Sequence, residues 1–97
     1  MKRFVEVYYY IKDGKRAEFY RKLMESGIAD ASRAEEGNEK YEYYFSPDNE
    51  NEMLLLEVWK SVEAVELHQK SSHFKELGEL KKEYVTETIF KRYEIAE

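Results

Sequence analysis

The stretch of sequence that decides the fold runs from Tyr41 to Trp59 and reads YEYYFSPDNENEMLLLEVW. Two runs rich in aromatic and aliphatic residues, 39–45 and 53–59, flank a polar hexapeptide, Ser46–Asn51. In the first run, Tyr41, Tyr43 and Phe45 point one way and the residues between them point the other, as along a strand. The Ser-Pro-Asp-Asn composition of the hexapeptide is typical of a turn. The stretch therefore predicts a β-hairpin.

Upstream of the hairpin, the pattern predicts one strand and one helix. Residues 4–11 (FVEVYYYI) are β-branched and aromatic and end at a Lys-Asp-Gly-Lys turn, which favours a strand. From Arg16 to about Ala34 the apolar residues recur at three- and four-residue spacing, which indicates an amphipathic helix. Gly27 lies inside this predicted helix, where we expect a close packing contact to explain it. Gly37 is placed to end the helix in a left-handed conformation.

Downstream of the hairpin, the pattern predicts two short helices and a final strand. Ser61 is a good N-cap for a helix that holds Val62, Val65 and His68. Ser71 or Ser72 caps the next helix, and residues 86–95 form the last strand.

The predicted order is strand, helix, strand, strand, helix, strand. This is the split-βαβ, ferredoxin-like arrangement of an α+β protein, with helices on one face of a four-stranded antiparallel sheet and a single domain over residues 1–97. The strands are nevertheless apolar on both faces: Phe4, Tyr8 and Tyr10 alternate with Val5, Val7, Tyr9 and Ile11, and Leu54, Leu56 and Val58 alternate with Met53, Leu55 and Trp59. Two helices cover only one face. We therefore expect a homodimer in which a second sheet covers the other.

Composition excludes several classes of function. The net charge of −5, with scattered basic residues, argues against a nucleic-acid partner. The chain has no cysteine, which excludes thiolate metal sites and favours a reducing, cytoplasmic compartment. Its longest apolar run, Met53–Leu56, is far shorter than a membrane span, and the N-terminus lacks the apolar core of a signal peptide.

Five spaced motifs carry a family resemblance. They are Glu35-x-Gly37-Asn38, Tyr41-Glu42, Leu55-x-Glu57-x-Trp59, a helix that ends near His68, and Ser71-x-His73-Phe74. In this order they resemble the antibiotic biosynthesis monooxygenases, which are small proteins that include the quinol monooxygenases. The resemblance implies a dimeric α+β barrel and a cavity between helices and sheet. In that cavity a small aromatic quinol or phenol meets O2 without flavin, metal or other cofactor.

Several residues are candidates for the site. A histidine near an apolar surface is a plausible general base, and the resemblance gives that role to His68. It makes Trp59 with Tyr41 or Tyr43 the stacking wall. His73 and Phe74 are further candidate substrate contacts, although a capping or packing role is open for His73.

Two polar residues are candidates with open alternatives. Glu57 lies in an apolar strand and needs a partner, for which we expect the N-terminus of the Ser61 helix or a Lys or Arg; catalysis is the alternative. Asn38 is either a turn residue or a replacement for a catalytic amide. The antibiotic-pathway branch has an Asn four residues before the Trp, where this chain has Leu55, and the haem-degrading branch has one in the first strand, here Phe4-Val5-Glu6.

A metal site formed by His68, His73 and Glu57 is conceivable, since two histidines and a carboxylate bind non-haem iron. The five-residue spacing does not place the histidines on one helical face, so we predict no metal site. A branch similar in the Glu-Glu-Gly-Asn and Ser-x-His-Phe runs isomerises small phosphorylated sugars, but the sequence shows no evident cationic clamp for a phosphate. A small-molecule isomerase using His68 and His73, and a non-catalytic module that binds a ligand or haem, remain alternatives to the monooxygenase.

Overall fold

The computed structural model describes residues 1–96, and its elements follow the predicted order with the helical regions divided. The strands are β1 (Lys2–Ile11), β2 (Asn38–Phe45), β3 (Glu52–Trp59) and β4 (Val85–Ile95). The helices are α1 (Arg16–Glu25), α2 (Ile28–Arg33), α3 (Val62–Gln69) and α4 (Ser72–Tyr84). The fold is the ferredoxin-like α+β arrangement that the sequence predicts.

One antiparallel sheet has the strand order β2-β3-β1-β4. Its central strands β1 and β3 pair Val7 with Leu55 and Val5 with Glu57. Alternate residues of these strands are buried under the helices, together with Phe19, Leu23, Ile28, Leu77 and Tyr84. The predicted assignment of strand residues to two faces is therefore confirmed, and one core lies between the sheet and the helices.

The opposite face of the sheet carries no helix among residues 1–96 and is rich in apolar side chains, although Glu6, Glu42 and Lys91 also lie on it. Leu54 lies between Tyr8 and Tyr44, and Tyr93 packs edge-on against Phe4. Tyr44, Ile89 and Tyr93 are each more than a third exposed. We refer to this surface, centred on Phe4, Tyr8, Leu54, Leu56 and Val58, as the open face.

Two glycines have the reverse of the structural roles that we expected for them. Gly27 has φ +82° and separates α1 from α2, and a Cβ added there would meet nothing within 4 Å. Gly37 has no positive φ, and a Cβ added at this position would lie 2.3 Å from the Cβ of Ala64. The predicted single helix is therefore two helices, divided because Gly27 takes the left-handed conformation, whereas Gly37 is the position of close packing.

Both predicted serine caps are present. Ser61 Oγ accepts a hydrogen bond from the Ala64 N–H and Ser71 Oγ accepts one from the Phe74 N–H, so Ser71 rather than Ser72 is the cap of α4. These caps fix where α3 and α4 begin, and therefore where their histidines lie. Within residues 1–96 no helix is long and apolar enough to span a bilayer.

Candidate functional site

A cavity of about 270 Å³ lies between the helix side of the sheet and helices α3 and α4. All four strands contribute to it. Its lining comprises Val5, Val7, Tyr9, Tyr41, Glu57, Phe90 and Arg92 from the sheet, and Val65, His68, Gln69, Phe74, Leu77, Gly78 and Lys81 from the helices. The cavity is thus largely apolar and aromatic, with a few titratable groups, which is typical of a small-molecule site.

His68 is the histidine that reaches this cavity. Its side chain is buried, and its ring lies against Trp59 with centroids 4.6 Å apart and against Phe74 at 5.2 Å. Burial lowers the pKa of His68, and the hydrogen bond to Glu35 opposes that shift. The imidazole is therefore held mainly neutral near pH 7, as a proton acceptor requires.

Glu35 is the partner of His68, and sequence reasoning did not select it. Glu35 Oε2 lies 2.5 Å from His68 Nδ1 and 2.8 Å from His73 Nε2. A carboxylate oxygen accepts, so His68 carries its proton on Nδ1 and leaves Nε2 unprotonated. The Glu-Glu-Gly-Asn run was the available signal: Glu35 is its first residue, at the turn between α2 and β2.

Glu57 is buried and faces the cavity, but its hydrogen-bond partner is neither of the two that we expected. The Trp59 indole N–H donates to Glu57 Oε1 at 2.8 Å, and no hydrogen bond or ion pair joins Glu57 to the Ser61 helix or to a Lys or Arg among residues 1–96. Burial raises the pKa of Glu57 to about 7, and the indole donor only partly offsets this. The carboxyl can therefore exchange a proton near neutral pH.

Four other predicted site residues do not line the cavity. Trp59 is fully buried behind His68, so it supports the histidine rather than forming a wall. Asn38, the first residue of β2, donates from Nδ2 to the Lys40 carbonyl at 3.0 Å and lies outside the cavity lining. Tyr43 packs between Tyr41 and Tyr20, and His73 reaches Glu35 from outside the cavity. Tyr41 and Phe74 do line it, as expected.

Two cations at the cavity were also missed. Lys81 Nζ lies over the Tyr9 and Phe90 rings at 5.3 and 5.4 Å, and the Arg92 guanidinium lies 4.8 Å from the Phe90 centroid. Neither makes an ion pair within the described part of the chain, and burial lowers the pKa of Lys81. The sequence separates them by ten residues across the α4–β4 junction, so no local pattern indicated the pair.

The histidines meet despite their spacing. Glu35, His68 and His73 bring one potential ligand atom each within 4.8 Å of one another, whereas Glu57 is not part of the group. Our spacing argument took the five-residue spacing, with a helix break between the two histidines, as evidence against a shared site. The chain does end α3 at Gln69 and begin α4 at Ser72, but this break turns both rings towards Glu35.

Comparison with known proteins places the chain by sequence and by fold. The sequence model of a family described as "Antibiotic biosynthesis monooxygenase" matches residues 3–80. A Bacillus subtilis (strain 168) protein named "Putative monooxygenase YcnE" is 34% identical over 70 residues, which are 72% of each chain.

Solved structures agree on the fold. A conserved protein from Methanosarcina mazei Go1 superposes with a TM-score of 0.88 at 29% identity, over 99% of this chain and 94% of that one. A "Putative antibiotic biosynthesis monooxygenase" from Nitrosomonas europaea superposes with a TM-score of 0.87 at 19% identity, over 95% and 88% of the two chains.

Proposed function

Since the chain belongs to the antibiotic biosynthesis monooxygenase family, we propose that it oxidises a small aromatic quinol or phenol with O2, without a flavin or metal cofactor. The observation that carries this proposal is the His68 ring, which borders an aromatic cavity while its Nδ1 is held by Glu35. A histidine oriented by a carboxylate is a general base whose free nitrogen has a fixed direction.

In the proposed reaction the substrate supplies the electrons. His68 Nε2 takes the phenolic proton, and the electron-rich phenolate reduces O2 and forms a C–O bond. One oxygen atom stays on the ring carbon and the other leaves as water, so the substrate gains one oxygen and loses two hydrogens. The apolar walls, including Tyr41 and Phe74, orient the ring and exclude bulk water.

Glu57 is the proposed proton donor for the second half of the reaction. Cleavage of the O–O bond needs a proton on the leaving hydroxide, and a carboxyl whose pKa is about 7 holds one in roughly half of the molecules at neutral pH. The base and the acid thus border one cavity with different proton occupancies.

Oxygen uptake tests the reaction directly. With a reduced naphthoquinone or an anthrone as substrate and a chelator present, we expect consumption of one O2 per substrate oxidised. His68→Ala should lower turnover by about a hundredfold, the usual scale for losing a positioned base. His73→Ala is the matched control: it removes a histidine bonded to the same carboxylate but outside the cavity, and should cost far less. No oxygen uptake over a panel of quinols and phenols would reject the proposal.

A second candidate function, isomerisation of a small phosphorylated sugar, is supported by one observation. Lys81 and Arg92 are cations beside the cavity without an ion-pair partner among residues 1–96. Anionic substrates suit such a pair, and His68 with Glu57 could move a proton between adjacent carbons. Deuterium exchange into a phosphorylated hydroxyketone, followed by NMR, tests this reaction. Lys81→Met should raise the KM for the phosphorylated substrate while leaving oxidation of an uncharged quinol unchanged.

We also propose that the protein is a cytoplasmic homodimer joined through the open face. Apolar side chains on that surface, including Leu54 between Tyr8 and Tyr44, would be covered by a second sheet. Sedimentation at micromolar concentration should give twice the chain mass. Leu54→Asp should give a monomer, whereas Leu67→Asp, at a 69% exposed position on α3, should not. A wild-type monomer would reject the dimer.

A further inference from the structure

The Glu35–His68–His73 cluster has the composition of a metal site. Its three side chains come from the α2–β2 turn, the last turn of α3 and the first turn of α4, and their ligand atoms lie within 4.8 Å of one another. We propose that this cluster binds one divalent transition-metal ion of the zinc or cobalt type. The site is distinct from the proposed substrate cavity, because only His68 belongs to both.

The ligand chemistry selects the class of ion. Two imidazole nitrogens and one carboxylate oxygen suit Zn²⁺, Co²⁺, Ni²⁺ and Fe²⁺. Mg²⁺ and Ca²⁺ prefer oxygen ligands throughout and are disfavoured by the two histidines. Three protein ligands leave at least one coordination position for water.

Binding needs the three ligand atoms, which lie within 4.8 Å of one another, to adjust around the ion by small side-chain movements. Two ligands bound to the same ion at about 2.1 Å are about 3.0 to 3.4 Å apart, whereas Glu35 Oε2 lies 2.5 and 2.8 Å from the two nitrogens. The Glu35 carboxylate must therefore withdraw by less than about 1 Å. Its side chain is 18% exposed and Oε1 makes no hydrogen bond within residues 1–96, so no second hydrogen bond in that range opposes the shift.

The surrounding structure limits how far the ligands can move. Ser71 Oγ donates to the His68 carbonyl at 2.6 Å while capping α4, which ties the end of one histidine helix to the start of the other. The Trp59 and Phe74 rings fix the His68 ring. Glu35 is anchored through its main chain, whose carbonyl accepts from the Asn38 N–H at 3.0 Å. Such supporting contacts raise metal affinity because the ligands lose little freedom on binding.

An approach route for the ion is also present. Glu35 borders a surface depression whose other residues include Glu36, Ser61 and Glu63.

The inference goes beyond the proposed oxidation, in which His68 keeps its Nδ1 proton. An ion on Nδ1 displaces that proton, so metal binding and the hydrogen bond to Glu35 exclude each other.

Titration of the full-length, chelator-treated protein with Co²⁺ tests the inference in the absence of substrate. We expect one ion per chain, visible absorption bands of a nitrogen- and oxygen-ligated Co²⁺, and displacement by Zn²⁺. His73→Gln and Glu35→Gln should each weaken binding by at least about a hundredfold. Glu57→Gln is the control, since it alters the carboxyl of the cavity rather than that of the cluster and should leave the affinity unchanged.

Two results would overturn the inference. One is the absence of stoichiometric Co²⁺ binding to the wild-type protein, and the other is unchanged affinity in both cluster variants, which would place the ion elsewhere. Circular dichroism of each variant establishes that it is folded, and His73 is the safer position because its side chain is 17% exposed. The readout involves no oxygen uptake, so failure of the proposed oxidation would leave it unaffected.

Discussion

Two glutamates on the helix side of the sheet show how differently one fold treats the same functional group. Glu35 accepts two hydrogen bonds on one oxygen, from His68 and His73. Glu57, on the central strand β3, has the Trp59 indole as its hydrogen-bond donor and faces an apolar cavity. The first carboxylate has hydrogen-bond donors around it and orients the two histidine rings. The second is under-solvated, so its pKa is raised and it is available to exchange a proton.

The same contrast extends to the neighbours of each carboxylate. Around Glu35, the His68 Nδ1 and His73 Nε2 groups have a partner. Around Glu57, the Tyr41 hydroxyl is buried without a hydrogen bond among residues 1–96, and Lys81 and Arg92 have no ion pair there. Buried polar groups without hydrogen-bond partners lower the stability of the protein. They are typical of binding sites in which a ligand supplies the missing partners. Substitutions at the two carboxylates and at Tyr41 test whether the two regions differ in this way.

The largest expected effect is a pH-dependent gain of stability in Glu57→Gln. A carboxyl whose pKa is raised from about 4.5 to about 7 retains its proton in the native state after the unfolded state has lost it. Its stabilising contribution is therefore full below pH 4.5 and is lost as pH rises through 7, by about 3 kcal/mol. Glutamine has no such loss.

Urea unfolding at pH 5 and pH 8.5 measures this effect. The difference between the wild type and Glu57→Gln should shift by about 2 to 3 kcal/mol in favour of the variant on going to the higher pH. The comparison with a variant cancels the titration of all other groups. An equal pH dependence in both proteins would show that Glu57 is not a perturbed carboxyl, and would remove it as the proposed acid.

Glu35→Leu is expected to have the next largest effect, and in the opposite direction. It removes the acceptor of two histidine N–H groups, of which that of His68 is buried. An unpaired buried donor costs about 1 to 3 kcal/mol. The free energy of unfolding should fall by about 2 kcal/mol, and the pKa of His68, followed by NMR, should fall because Glu35 no longer stabilises the charged imidazolium.

Glu35→Gln is the control for that variant. Its amide oxygen can still accept from one histidine, so stability should be largely retained while the pKa of His68 still falls with the lost charge. If Glu35→Leu were as stable as the wild type, the two carboxylates would not differ in the way that the structure indicates.

The sequence predicted the sheet better than the site. Strand alternation groups Val5 with Val7 on one face of the sheet because side chains repeat every two residues once a strand is identified. It also identified His68 and Phe74 as cavity residues. It could not identify Lys81 and Arg92 as a pair, because their proximity depends on how α4 crosses β4 rather than on any local spacing.

The glycines show the limit in physical terms. Gly27 and Gly37 each follow a polar residue, and the sequence pattern places the first inside the predicted helix and the second just after its end. Which of them takes positive φ, and which accommodates a neighbour, depends on the approach of Ala64 from α3 to Gly37. Such a contact between elements about 27 residues apart leaves no local signature. The same reason explains why the Glu35–His68 pair was missed.

The smallest expected effect concerns Tyr41→Phe, which removes a buried hydroxyl that has no hydrogen-bond partner among residues 1–96. A buried polar group without a hydrogen bond lowers the free energy of unfolding, so its removal should stabilise the protein by about 0.5 to 1 kcal/mol. Thermal unfolding should show a small increase in Tm. Burial also raises the pKa of Tyr41 to about 12, so the hydroxyl is protonated at any pH suited to the measurement.

Tyr84→Phe is the matched control, because the same atom is removed from a buried tyrosine whose hydroxyl donates to Glu18. Losing a satisfied, charge-assisted bond should lower Tm instead of raising it. The opposite signs of the two substitutions are the decisive result: they would show that the Tyr41 hydroxyl beside the cavity is unsatisfied, whereas the Tyr84 hydroxyl contributes a stabilising hydrogen bond. If Tyr41→Phe were instead the more damaging change, the Tyr41 hydroxyl would have a partner in solution. An ordered water bridging it to Glu57 would then be the simplest account, and the Glu57 region would be better solvated than its raised pKa indicates.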